Sequence, residues 1–128
     1  MLSMIDVTPE VFEKIVAGAM DAIPAHYQDH MNNVVFVAED QPTPEQAQQL
    51  HLVNGVLLYG LYEGIPLTKR TGNYSGVLPD KITIFRLPIL ATADSVEAVK
   101  AQVKNTVWHE VAHHFGLDHD RINELEAA

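Results

Sequence analysis

Apolar residues along the chain switch between a helical and an extended period, and the switches mark out a mixed α and β fold. Val11, Phe12, Ile15, Val16, Ala19 and Ile23 recur at the three-to-four spacing of one helix face. Thr8 as N-cap and Pro9 at the first helical position start that helix, and Pro24 stops it. Val34 to Ala38 is a continuous apolar run of strand length, which predicts a strand buried on both faces. Thr43-Pro44-Glu45-Gln46 repeats the start signal with a capping-box Gln and opens a short helix to about Leu50. Val56 to Tyr62 and Ile65 to Leu67 are rich in β-formers and broken by Gly55, Gly60 and Gly64, as in a hairpin or a bent strand.

The stretch from Arg70 to Asp80 reads as the one long loop. Lys81 to Arg86 then alternates as a strand should. Asp94, with Glu97 three residues on, predicts the capped start of a last helix of about twenty residues ending near Phe115. Val96, Val99, Val103, Val107 and Val111 line one face of it. That face packs on the sheet and leaves the opposite one to a cleft. Trp108 belongs with the core rather than with a substrate platform. Repeats and low-complexity segments are absent, and residues 1–128 read as a single α+β domain.

Composition narrows the chemistry. The chain has no Cys, which removes thiolate ligands, cysteine nucleophiles and redox motifs together. Seventeen Asp plus Glu against eight Lys plus Arg give a formal charge of -9, which disfavours a phosphate backbone as partner. Met1 to Asp6 lacks the basic start and apolar core of a signal peptide, and no apolar run approaches the ~20 residues of a membrane span. The expectation is a cytoplasmic protein of unspecified oligomeric state, without a membrane partner.

The end of the last helix carries the strongest pattern. His109-Glu110-Val111-Ala112-His113-His114-Phe115-Gly116-Leu117-Asp118-His119 reads H-E-x-x-H-x-x-G-x-x-H. His109 and His113, four apart, project from one helix face and can share a Zn²⁺ ion. Glu110 is rotated by about 100° from His109, beside the metal, where a general base is needed. Gly116 can take φ > 0, ending the helix and returning the chain so that His119 supplies the third ligand. A shuffled chain of this composition shows H-E-x-x-H about once in forty and the full pattern about once in ten thousand.

Neighbouring polar residues have weaker claims. Asp118 and Asp120 flank His119 and could orient its imidazole or replace it on the metal. His114 points away from the ligand face, towards packing or a hydrogen bond that supports a ligand. His26 and His30 read as a surface pair, and His51 as solvated. Tyr59, Tyr62 and Tyr74 could donate to an oxyanion but read as half-buried packing.

Several segments beyond the histidines resemble a small bacterial zincin-like metallopeptidase family, long treated as a domain of unknown function. They are Ile23-Pro24, Asn33-Val34, Leu61 to Leu67 (Leu-Tyr-Glu-Gly-Ile-Pro-Leu), Leu78-Pro79-Asp80 and His109 to Gly116. The resemblance spans nearly the whole chain. It implies a minimal zincin: a short mixed sheet packed with helices, the active helix near the C-terminus, and peptidase activity on a peptide or protein substrate. One departure stands out, since many members carry an acidic residue where this chain has His119. The ligand set then looks like that of the metzincins, but all four Met lie at or before position 31 and no methionine turn follows His119.

The expected activity is therefore zinc-dependent peptide hydrolysis, with the strand Lys81–Arg86 as the candidate seat for an extended peptide. One alternative is a zincin-fold domain that binds metal or a partner without catalysis. Another is a YbeY-type endoribonuclease, whose motif resembles H-G-x-L-H where this chain has Glu110.

Overall fold

The computed structural model describes residues 6–31, 33–52, 57–65 and 79–116. In chain order these form α1 (Pro9–Asp21), α2 (Ala25–Gln28), β1 (Val34–Glu39), α3 (Pro44–Gln49), β2 (Gly60–Glu63), β3 (Asp80–Phe85), α4 (Arg86–Thr92) and α5 (Val96–His114). The fold is α+β, as the periodicities require. Leu117 to Ala128, which include Asp118, His119 and Asp120, lie outside the described residues, as does most of the predicted loop with Tyr74.

The sheet has the order β1-β3-β2. β1 runs parallel to β3, with Phe36 opposite Ile82, and β2 runs antiparallel to it, with Tyr62 opposite Ile82. β3 is thus hydrogen-bonded on both sides. The strand nominated as a peptide seat is the central one, and its edges are already taken. β2 offers an edge that no strand occupies among the described residues. Among the described residues it pairs with β3; Pro66 and Leu67 of the predicted hairpin lie outside them, so its described part is a single strand.

The core lies where α1 and α5 cover the sheet. Ile82 and Ile84 alternate into it from β3 and meet Phe12 and Val16 of α1, Ile89 and Leu90 of α4, and Val99, Val103, Val107 and Val111 of α5. Two ends of the predicted stripes fall outside it: Val11 is 46% and Val96 39% exposed. Both line an open groove between α1 and α5, on its solvent side. β1 is also less covered than its apolar run suggested. As an outer strand it turns Val34, Phe36 and Ala38 to the core and leaves Val35 45% exposed.

Local signals account for most boundaries. Thr8 Oγ1 accepts from Val11 N at 3.2 Å, and Pro9 follows as the first helical residue. Thr43 and Gln46 close a reciprocal capping box, at 3.1 Å to Gln46 N and 3.0 Å from Thr43 N. At α5 the cap is Ser95, not Asp94: its Oγ accepts from Ala98 N at 3.0 Å. Glu97 is then one residue short of the position a capping box needs. Asp80, read as the last residue of the loop, is the first of β3, and Arg86 leaves the strand to start α4, which the periodicity did not predict. Pro88 is tolerated there because it lies in the first turn, where backbone N–H groups have no helical partner. Arg86 fixes that corner, donating to Asp40 Oδ1 and to the Val7 carbonyl, both at 2.9 Å.

Candidate metal centre

α5 presents His109 and His113 on one face at its C-terminal end, both half-buried, with ring centroids 5.0 Å apart. Glu110 lies beside them but points inward, with 8% of its surface exposed. One ligand atom from each of His109, Glu110 and His113 falls within 4.8 Å of the others. Nitrogen and carboxylate oxygen donors at this spacing suit a zinc ion, whose Zn–N and Zn–O bonds are about 2.0–2.2 Å. The two imidazoles are the ligands that would hold such an ion from this helix.

What sets Glu110 apart is the strand it faces. β2 crosses α5 at Gly60, where an added Cβ would sit 2.6 Å from Thr106 Cγ2, 3.2 Å from Glu110 Cγ and 3.3 Å from the Thr83 carbonyl oxygen. The absence of a side chain at Gly60 is therefore what lets strand and helix close on each other. That contact takes Glu110 out of water. Burial pushes its carboxyl from the ordinary 4.5 up to about 7, and a hydrogen bond from the Tyr62 backbone N–H draws it partly back. A carboxyl titrating near neutrality can both take and return a proton at physiological pH.

Behind the helix end lies a second polar cluster. His114 is completely buried, with its Nδ1 2.9 Å from Asp80 Oδ2, and Tyr62 Oη donates to the same oxygen at 2.6 Å. Gly64 makes room for it, since a Cβ there would run into the Asp80 carboxylate. The helix then ends as the motif requires: Gly116 has φ 78° and its N–H returns to the His113 carbonyl at 2.9 Å.

A family described as zincin-like metallopeptidase matches over residues 31–128. The chain belongs to the zincin-like metallopeptidases. No curated protein matches it. Among solved structures, a conserved hypothetical protein from T. thermophilus is similar, with 23% identity, a TM-score of 0.56, and coverage of 85% of this chain and 94% of that one. At that identity the likeness speaks for the fold alone.

The other nominated residues scatter. His26, His30 and His51 are exposed, and His30 Nδ1 lies 2.9 Å from the His26 carbonyl. Tyr59 donates to Thr92 Oγ1 at 3.0 Å, away from the zincin motif. Trp108 packs against the core, edge-on to Tyr27 with centroids 5.0 Å apart. Gly60, Thr106, Asp80 and the Tyr62 backbone were not singled out by spacing, although a glycine inside a β-rich run is a signal of close backbone approach. No described helix is long and apolar enough to cross a membrane.

Proposed function

We propose that this zincin-like protein hydrolyses peptide bonds with a zinc ion held by His109, His113 and His119, with Asp118 or Asp120 as the acidic alternatives for the third position. The observation that carries the reading is the state of Glu110. Its carboxyl is within 4.8 Å of both imidazoles, walled from solvent by β2, and raised to about 7. A residue serving only as a surface acid would not be buried against a strand in this way.

When bound, zinc acidifies a water and polarises the scissile carbonyl. The rest falls to the chain. The Glu110 carboxylate accepts the proton of the attacking water and delivers it to the departing amine nitrogen. The Tyr62 N–H keeps that carboxylate oriented throughout. An extended peptide fits the outer edge of β2, which is antiparallel to β3 and lies against the active helix at Glu110. His114 supports the site from inside the core.

Glu110→Gln separates holding the metal from using it. Zinc content by elemental analysis should match that of the unsubstituted chain, while cleavage of a mixed peptide library falls by at least a hundredfold. Undiminished cleavage by Glu110→Gln would remove Glu110 as the base. Zinc-loaded protein that cleaves no peptide would leave a metal-binding module instead of a peptidase.

A further inference from the structure

Tyr62 makes two connections. Its backbone N–H holds the Glu110 carboxylate, and its phenol hydroxyl donates to Asp80 Oδ2 at 2.6 Å. Asp80 opens β3 and is 2% exposed, and its Oδ2 also lies 2.9 Å from Nδ1 of His114, which is fully buried in the last turn of α5. A carboxylate only accepts, so Nδ1 of His114 carries the proton in that bond and the ring orientation is set. The His114 ring is further held edge-on by Tyr62 and Phe115, with centroids 5.8 and 5.4 Å away. One carboxylate oxygen thus joins the edge strand, the central strand and the end of the active helix.

Apolar side chains could fill this junction without the desolvation that three polar groups incur. What a hydrogen-bonded network adds over apolar packing is direction. The direction matters here because Tyr62 is the residue whose N–H meets Glu110, and because His114 directly follows His113. Sliding or tilting β2 on α5 would misplace both the base and the strand edge together.

We propose that Tyr62, Asp80 and His114 are positioning residues, which lock the edge of β2 at a fixed height above the metal-binding face so that a peptide paired along it meets Glu110. The inference rests on the peptidase reading and adds to it three residues whose side chains touch neither metal nor substrate. It separates two properties of the site: chelation by His109 and His113, which needs only α5, and recognition of an extended backbone, which needs β2 held in place.

The test uses the zinc-loaded full chain and two probes, acetohydroxamate and a tripeptidyl hydroxamate. Acetohydroxamate needs only the metal, whereas the longer probe also needs the strand edge. Tyr62→Phe keeps the ring and the backbone N–H and removes only the hydroxyl. It should bind acetohydroxamate within twofold of the unsubstituted protein and the tripeptidyl probe at least tenfold more weakly, with faster amide exchange across Gly60–Glu63. Asp80→Asn, which keeps the shape and loses the charged acceptor, should show the same split. Equal weakening of both probes, or of neither, in the two variants overturns the proposal, as does a tripeptidyl probe that binds the unsubstituted chain no better than acetohydroxamate. If the unsubstituted, zinc-loaded chain binds neither probe, it is the peptidase reading that fails.

Discussion

Gly60 lies so close to Glu110 that a side chain on it would have no room: an added Cβ would fall 3.2 Å from Glu110 Cγ and 2.6 Å from Thr106 Cγ2. The burial of the base and the smallness of residue 60 are thus one feature. Gly60→Ala should destabilise the fold by about 1–3 kcal/mol through overpacking. Thr106→Ser removes the Cγ2 that the new methyl would meet, so the pair of substitutions should cost clearly less than the sum of the two alone. Denaturant unfolding of the four proteins checks this, and a strictly additive result would mean that β2 simply moves away from α5.

The pH dependence of stability follows from Glu110. Its folded pKa of about 7 lies above the ordinary 4.5, so the native state holds the proton more tightly than the unfolded one. The associated stability is fully present below about 4.5 and is lost as pH rises through about 7. The difference corresponds to about 3 kcal/mol for the metal-free protein. Gln carries no charge to desolvate, so metal-free Glu110→Gln should be more stable than the unsubstituted chain at pH 8 and similar to it at pH 4. Parallel urea unfolding at several pH values reads the difference directly; curves that stay equally separated at every pH would contradict it.

The start of α5 gives a prediction that distinguishes neighbouring residues. Ser95 Oγ accepts from Ala98 N at 3.0 Å. Ser95→Ala should therefore cost about 1 kcal/mol, and Asp94→Ala less than about half of that. Thermal unfolding of the two variants side by side tests the assignment, with the reverse order restoring Asp94 as the cap.

That one-residue difference shows what the sequence carries and what it does not. Local chemistry placed α1 and α3 through Thr8, Pro9, Thr43 and Gln46, because a cap is decided by residues three apart. It placed the ligand face for the same reason, since His109 and His113 are neighbours on any helix. Near Asp94 and Ser95 two good caps adjoin, and only packing decides which turn begins. Sheet order is less visible still. The apolar run Val34–Ala38 looked fully buried and is an outer strand, while Lys81–Arg86, with charges at both ends, lies in the centre. Strand pairing joins residues such as Leu61 and Thr83 across long separations that no local pattern records. The Tyr62–Asp80–His114 cluster belongs to this class: its members sit in three segments that the family resemblance treats separately, and only the fold shows that they meet.

Metal loading should be visible as stability. A ligand that binds only the folded chain stabilises it by RT ln(1 + [L]/Kd), about 2.7 kcal/mol at a hundredfold excess over Kd. Added zinc should therefore raise the unfolding midpoint of the chelator-stripped protein in proportion to the logarithm of its free concentration, and EDTA should reverse the rise. His109 and His113 are half-buried at the helix end, so removing one imidazole does little to the core. His109→Ala should accordingly unfold near the midpoint of the stripped protein and fail to respond to zinc. His26→Ala, which alters an exposed imidazole elsewhere, should respond in full. A zinc response that survives His109→Ala would place the ion away from α5, and the arrangement of Glu110 beside two imidazoles would then need another explanation.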